Sequence, residues 1–330
     1  MSKITKIRSL LSSSDIDVIL IENGDHCDPN TIYLSGVSMR NSLFLFCENS
    51  ISVIVSRMNL AEAKERIGAL ADIWIYDKRG DVPKLLKEIL KGKKVGLNMA
   101  YATASLLHML YSLKIKTRSI TDLLLSLRAV KTEEEISKIR KAYQIARNLM
   151  DEIDIKKGKS ELEVRKDLLR LLIEEGLEPA FEPIIAADER SRFPHAEASK
   201  KKIDKMVLVD LGIKYEDYCS DITRCFFFES GEKKEQYVKL KGIFERAKEF
   251  SKKNMRARTL ANFIDTSVVG VVMQKMIHSQ GHGIGLDVHE YPYVGLNSKH
   301  ILKSGNTISL EPAFYCEKYG IRYEDLVIIK

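Results

Sequence analysis

Two aspartates stand in apolar, strand-like surroundings in the stretch 206–228, MVLVDLGIKYEDYCSDITRCFFF. Asp210 follows Val207, Leu208 and Val209, and Asp221 precedes Ile222, Cys225 and the phenylalanines 226–228. An acid buried in such a strand is unfavourable unless something pairs with it. The polar run Lys214-Tyr215-Glu216-Asp217 separates the two arms and marks a hairpin turn. With the turn centred between Tyr215 and Glu216, Asp210 lies directly opposite Asp221. Opposed side chains have Cβ atoms about 4.5–5.5 Å apart. Two ionised carboxylates that close repel, so either one takes up a proton or a cation sits between them. The alternative is an ordinary hairpin with two solvated acids, and this stretch alone leaves both readings open.

More acids and imidazoles gather toward the C-terminal end. His278 precedes Gly281-His282-Gly283-Ile284-Gly285, and His289-Glu290 follows. Ile308-Ser-Leu-Glu311-Pro312 and Gly320-Ile-Arg322-Tyr-Glu324-Asp325-Leu form a second hairpin. With its turn centred on Lys318-Tyr319, Glu324 sits diagonal to Glu311, about 7–8 Å away on the same face. That separation suits two ligands spanning one ion or a pair of ions. The three glycines are not a nucleotide loop, because no strand and helix flank them in the required order. A lone histidine such as His282 is usually a packing residue, and a strand glutamate usually faces water. The joint pattern argues otherwise, since three of these four acids lie in otherwise apolar strand segments. Oxygen ligands with one imidazole suit Mn²⁺, Co²⁺, Fe²⁺ or Zn²⁺. Four carboxylates exceed the charge of one divalent cation. Two ions, about 3.5–4 Å apart with a bridging hydroxide, balance them better.

The elements that must position these residues follow from periodicity. Residues 1–120 alternate helix and strand patterns, the grammar of an α/β domain. An amphipathic helix over 4–11 leads to a buried strand from Asp17 to Asn23-Gly24. Strands follow at 42–47, 51–55, 73–76 and 94–97. Helices fall at 60–67, capped by Asn59, at 82–90 and at 103–113. Gly24 alone is no phosphate loop, and His26 and His108 are isolated. A domain boundary is expected near residue 128, giving domains 1–127 and 128–330. Capping boxes, Thr132 with Glu135 and Ser160 with Glu163, open helices reaching Ile153 and Gly176. A strand over 181–188 and a loop over 193–199 carrying His195 come next. Helices are expected over 242–250 and 262–277, with 253–260 unassigned.

Composition narrows the function classes. The 330 residues are 45% apolar and 30% charged, enough for one large domain or two ordinary ones. The net charge of +7 is spread as alternating signs, as in residues 131–147, and the run Lys200–Lys202 lacks interleaved aromatics, so nucleic-acid binding is not expected. No N-terminal apolar segment follows Met1-Ser-Lys, and the longest weakly polar run, 266–277, is too short to span a bilayer. Five cysteines without CxxC spacing read as reduced thiols, mostly small core residues, in a cytoplasmic protein.

The second half resembles the metallopeptidase family with the pita-bread fold, which includes methionine aminopeptidase, aminopeptidase P and prolidase (Xaa-Pro dipeptidase). The resemblance rests on Pro194-His195, VDLG with Asp210, SDITR with Asp221, GHGIGLDVHE with His282 and His289, LEP with Glu311, and RYED with Glu324. Leu127-Arg128-Ala-Val-Lys131, Tyr33-Leu-Ser-Gly36 and the N-terminal α/β domain resemble its proline-specific branch. The resemblance implies an α+β chain: a creatinase-like α/β domain, then a pita-bread domain with a curved, mainly antiparallel sheet covered by helices. It implies Asp210, Asp221, His282, Glu311 and Glu324 as ligands of two divalent ions, Mn²⁺ or Co²⁺ first and Zn²⁺ or Fe²⁺ as further options. Asp221 and Glu324 would bridge the pair. A bridging hydroxide would attack the carbonyl before proline. Glu311 would relay the proton to the leaving nitrogen, and His289 and His195 would hydrogen-bond the reacting centre. His278 and Arg322 would be supports, Arg322 orienting a bridging carboxylate. Short proline-containing peptides are the implied substrates and a homodimer the implied assembly.

Prolidases in this family often carry an arginine shortly after the His-Glu pair, suited to a dipeptide's carboxylate. Tyr293 stands there, which favours a longer substrate. Ala313 replaces a usual glycine after Glu-Pro, the last hairpin is short, and 251–277 lacks the expected Lys-Pro-Gly turn and Gly-Tyr approach. Two other classes share the fold. One is a catalytically inactive peptide- or protein-binding module, whose members usually lose ligands. The other is a metal-free amidinohydrolase such as creatinase, which does not need them.

Overall fold

The computed structural model describes residues 3–330; Met1 and Ser2, which enter the expectation that no signal segment opens the chain, lie outside it. The chain packs as two compact units that divide between Leu127 and Arg128. The first holds α1 (Lys3–Ser14), β1 (Val18–Asn23), α2 (Pro29–Ser35), β2 (Ser42–Phe46), β3 (Ile51–Ser56), α3 (Leu60–Ile67), β4 (Asp72–Tyr76), α4 (Val82–Ile89), β5 (Lys94–Leu97), α5 (Ala104–Ser112) and β6 (Lys116–Ser119), with α6 (Thr121–Ala129) crossing the division. Its sheet runs β4-β3-β2-β1-β5-β6 and mixes parallel and antiparallel pairs. Val18, Leu20, Leu45, Ile54, Val95 and Leu97 are buried under α4 and α5. Three elements depart from the sequence reading. Asp28 caps α2 with Pro29 in its first turn, and that helix was not anticipated. The exposed edge strand β6 has no apolar alternation to betray it. Asn59 makes no side-chain cap on α3, because a tight turn over Arg57–Asn59 already feeds the helix.

The second unit holds α7 (Glu133–Glu152), α8 (Glu161–Glu174), β7 (Glu178–Pro179), β8 (Ile184–Ala187), β9 (Met206–Leu211), β10 (Ile213–Tyr215), β11 (Tyr218–Cys219), β12 (Ile222–Phe227), α9 (Glu232–Phe250) and α10 (Ala257–Val272). It continues with β13 (Gly281–Gly283), β14 (Glu290–Val294), β15 (Thr307–Leu310), β16 (Ala313–Tyr315), β17 (Gly320–Arg322) and β18 (Asp325–Ile328). Both expected capping boxes are formed. The expected strand at 181–188 shrinks to β8, since Pro183 has no N–H to donate to a ladder. The second helix pair starts earlier than expected: α9 starts at Glu232 and is longer, α10 is shifted to start at Ala257, and Met273 in the left-handed region ends α10.

The sheet β8-β9-β12 is buried on both faces, so its strands alternate between two apolar cores. Val207, Val209, Leu211 and Ile222 pack with α7 and α8. Met206, Leu208 and Cys225 pack with α9, α10 and the strands β15 and β18. Each fully buried Val or Leu contributes about 1.5–3 kcal/mol, and this two-sided packing holds the polar row rigidly. Period 2 then puts Asp210, Asp221 and Thr223 on the second face, where the apolar row ends.

Both hairpin registers are shifted by one residue at the turn. Lys214 pairs with Cys219 and Tyr215 with Tyr218, so the first turn is Glu216-Asp217, both at positive φ. Asp210 therefore faces Thr223, and Asp221 is its diagonal neighbour. In the second hairpin, Leu310 pairs with Asp325 and Ala313 with Arg322, and the Tyr323 N–H donates to the Pro312 carbonyl. Glu311 thus faces Glu324 directly. Opposed acids were expected in the first hairpin and diagonal acids in the second; the structure has the reverse, on the same faces.

Candidate active site

The two hairpins meet at a single bridge between Thr223 and Glu324. The Glu324 N–H donates to the Thr223 carbonyl at 3.3 Å, and the Arg224 guanidinium holds the Glu324 carbonyl at 2.6 Å. The central strand β13 lies between β14 and β15 and places His282 beside Ser309. Its glycines are packing devices, as a Cβ on Gly281 would stand 2.2 Å from the Ser309 carbonyl and one on Gly283 2.2 Å from that of Tyr291. Asp210, Asp221, His282, Glu311 and Glu324 thereby line one cavity of about 610 Å³, with His195, His289 and Arg322. Donor atoms of Asp210, Asp221 and Glu324 lie within 4.8 Å of one another, as do those of His282, Glu311 and Glu324.

Hydroxyls and one arginine orient these acids. Thr223 Oγ1 lies 2.7 Å from Glu324 Oε2 and 3.0 Å from Asp210 Oδ1, and accepts from Arg322 Nε at 2.8 Å. Ser309 donates to Glu324 Oε1 at 2.8 Å. Arg322 Nη2 donates to Asp210 Oδ2 at 2.6 Å, whereas its Nε stays 3.7 Å from Glu324. Arg322, expected to orient a bridging carboxylate, grips Asp210 and reaches Glu324 through Thr223. His282 Nδ1 sits 3.1 Å from the Gly283 carbonyl, which turns Nε2 toward Asp221 and Glu324 at 3.5 and 3.6 Å.

Like charges this close perturb one another. Burial, reinforced by the other acids, lifts the Asp221 carboxyl well above its usual range. Burial and Glu324 push Glu311 up to about 8. Asp210 rises to about 6 through burial, against the pull of Arg322. Burial opposes ionisation of Glu324 as well, but His282, Arg322 and Thr223 outweigh it and hold that acid down at about 2. Burial also opposes charge on His282, and its carboxylate neighbours overcome it. The buried Asp221 Oδ1 has no hydrogen-bond partner. An orphan oxygen among crowded acids fits a divalent cation, and oxygen donors with one imidazole are the set such a cation takes.

His195 and His289 are exposed to the cavity, and the His289 ring stands edge-on to His282 at 4.2 Å. Burial and His282 lower His289 to about 4, so it is neutral near pH 7. His278 lies behind Glu311, with Nδ1 3.5 Å from Oε2, and burial lowers it to about 4. Tyr293 does not line the acidic cavity. It stands with His278 on a neighbouring cavity of about 620 Å³, against the rings of Tyr291 and His300. Alternation along β14 explains this: Glu290, Pro292 and Val294 are buried, and Tyr293 leaves the opposite face.

Sequence reasoning missed three groups. Thr223 and Ser309 are each two residues from an acid of the cluster, so period 2 would have found them. Glu290 is buried with Arg128 and with Lys131, whose Nζ lies 2.6 Å away; Arg128 also meets Asp287 at 2.8 Å. Nothing local in sequence joins residues so far apart. Arg165 on α8 lines the cavity and pairs with Glu182.

Residues 137–330 match the family described as metallopeptidase family M24, and residues 3–130 match the creatinase/prolidase N-terminal domain. An Xaa-Pro dipeptidase of Pyrococcus horikoshii is 31% identical over 338 residues, spanning 99% of this chain and 94% of the relative. The solved structure of a prolidase from the same organism superposes with a TM-score of 0.89 at 30% identity, over 99% of this chain and 95% of that one. An X-Pro aminopeptidase from Thermotoga maritima superposes with a TM-score of 0.83 at 29% identity, over 98% of this chain and 95% of that one.

Proposed function

The chain belongs to metallopeptidase family M24 and is a proline-specific metallopeptidase, and we propose that it cleaves the Xaa-Pro bond at the N-terminus of dipeptides and short peptides. The observation that carries this reading is the convergence of four carboxylates, three buried and Glu311 half-buried, with His282 in one cavity, and with Asp221 Oδ1 left unpartnered. In this reading Asp210, Asp221, His282, Glu311 and Glu324 would hold two divalent cations, Mn²⁺ or Co²⁺ in preference to Zn²⁺ or Fe²⁺. Such ions supply Lewis-acid polarisation of the scissile carbonyl and lower the pKa of water.

The chain's own residues do the rest. Glu311 would take a proton from the attacking water at its carboxylate and pass it to the proline nitrogen as the bond breaks. His289, neutral near pH 7, and His195 hydrogen-bond the carbonyl oxygen as charge grows on it. His278 steadies Glu311 from behind. Arg322, Thr223 and Ser309 lock the orientation of Asp210 and Glu324. A bond before proline has a tertiary amide with no N–H, so recognition falls on the carbonyl and the peptide ends.

Protein loaded in turn with Mn²⁺, Co²⁺ and Zn²⁺ and incubated with Ala-Pro, Met-Pro and Arg-Pro-Pro tests the reading. Release of the N-terminal residue is expected, and product lengths separate a dipeptidase from an aminopeptidase. No release from any of them, with metal content verified, would sink it.

A further inference from the structure

His195 lines the catalytic cavity, yet its ring is exposed and no protein hydrogen bond holds it among the described residues. The backbone of the segment 187–199 must therefore aim it. Before His195, that segment is tied to β17 and the turn that precedes it. The Gly320 N–H donates to Ser191 Oγ at 2.9 Å, and Arg192 donates to the Glu317 carbonyl at 2.8 Å. After His195 the chain needs a second anchor, and Glu161 is placed to supply it.

Glu161 opens α8 and is fully buried. Its Oε1 accepts from the Ala187 N–H at 2.7 Å and from Arg190 Nε at 3.1 Å. Its Oε2 accepts from Arg190 Nε at 3.0 Å and from the Ser199 N–H and Oγ at 2.8 and 2.6 Å. Arg190 in turn donates Nη2 to the Glu197 carbonyl at 2.6 Å. One acid thus grips positions 187, 190 and 199 directly and 197 through Arg190, and these positions bracket His195. The helix behind it is fixed, with Val164, Leu168 and Leu172 packed in the core. Hydrogen bonds to a charged acceptor are the strong ones, so a buried acid filled on both oxygens by one segment clamps that segment.

We propose that Glu161 is a positioning residue for the reaction, acting through His195. The proposal rests on the reading of this cavity as the peptidase site with His195 at the reacting carbonyl. A displacement of about 1 Å in such a group costs about 100-fold in rate. Loosening the clamp therefore removes the contribution of the histidine. It leaves the clustered acids and His282 in place, because none of them lies on the clamped segment.

Glu161→Gln keeps the shape but brings N–H donors to face backbone and guanidinium groups that also donate. In metal-loaded enzyme acting on Ala-Pro, it is expected to lower kcat by about 10- to 100-fold with KM changed less than about twofold, and with unchanged Mn²⁺ content. In a His195→Ala background the same change costs less than about threefold, because residues that act as one unit are not additive. Ring resonances of isotope-labelled histidine give a readout apart from activity. The His195 signal, identified by its loss in His195→Ala, shifts or broadens in Glu161→Gln while the His289 signal is retained. Where Glu161→Gln does not fold, Ser199→Ala deletes one hydroxyl of the clamp and carries the same measurements with a smaller loss. A loss equally large in both backgrounds, full kcat in the folded variant, or an unmoved His195 signal overturns the proposal and leaves the peptidase reading intact. Failure of wild type to cleave any Xaa-Pro substrate overturns both.

Discussion

His289 and Glu290 are neighbours in the chain, yet they face two buried charge clusters of opposite character. His289 turns to Asp210, Asp221, Glu311 and Glu324, four acids opposed within the protein by Arg322 and His282. Glu290 turns the other way, to Arg128 and Lys131, and with Asp287 forms a set of two acids and two cations. In the balanced set, burial alone would raise Glu290, but Lys131 and Arg128 outweigh it and keep the acid below its usual range. In the unbalanced set, Asp210, Asp221 and Glu311 are all lifted. One cluster is complete as folded; the other is short of positive charge, and that deficit is the signature of a cation site. The balanced cluster also anchors the segment that carries His289.

Removing an acid should therefore have opposite consequences on the two sides. Asp221→Ala is expected to abolish activity by about a thousandfold or more, because several kcal/mol of charge stabilisation goes with the cation. The same change should raise the melting temperature of metal-free protein, since it removes repulsion. Peptidase assay and calorimetry of one preparation check both halves. Metal-free Asp221→Ala melting well below wild type would show that the acids stabilise the fold and would remove the contrast.

Glu290→Ala is expected to destabilise the second unit by about 3–5 kcal/mol, the usual result of leaving buried cations unmatched. Denaturant unfolding measures it, and a loss under about 1 kcal/mol would contradict the picture of a matched set. Thr223→Val keeps the shape and deletes the hydroxyl that links Asp210, Glu324 and Arg322. A 10- to 100-fold weakening of metal binding is expected, about the loss typical for such supports, with little change in melting temperature.

The smallest effect is in pH. In metal-free protein Asp210 at about 6 and Glu311 at about 8 lie above their unfolded values of about 3.9–4.3. Between about pH 5 and 8 the folded state then binds more protons than the unfolded state, so stability falls as pH rises. Glu290 and Glu324 are held low, so their contributions are lost only below about pH 4. Metal-free protein should melt several degrees higher at pH 5 than at pH 8. Stabilisation by Mn²⁺ should be larger at pH 8, where the ligands are deprotonated. A melting temperature that rises steadily from pH 5 to 8 without metal would count against lifted acids.

The unbalanced cluster could be read in the sequence because three of its four acids interrupt apolar strand segments, a local signal that survives errors of register. Those errors came from the turns. Glu216-Asp217 takes positive φ at both positions without the Asn-Gly or Asp-Gly that advertises such a turn. A slip by one residue at the turn moves a facing pair to a diagonal on the same face, so the acids stayed together. The balanced cluster left no local trace, since Arg128 and Glu290 are each unremarkable among their neighbours. The Asp28-Pro29 start of α2 is a cap legible in the sequence. The early start of α10 was not readable, because Arg256 precedes it without a side-chain cap.

The most direct measurement is the number of Mn²⁺ ions retained per chain after equilibrium dialysis at pH 8, for wild type and for Glu324→Ala. The account predicts two for wild type and one or none for the variant. None in wild type, or two in both proteins, would contradict it.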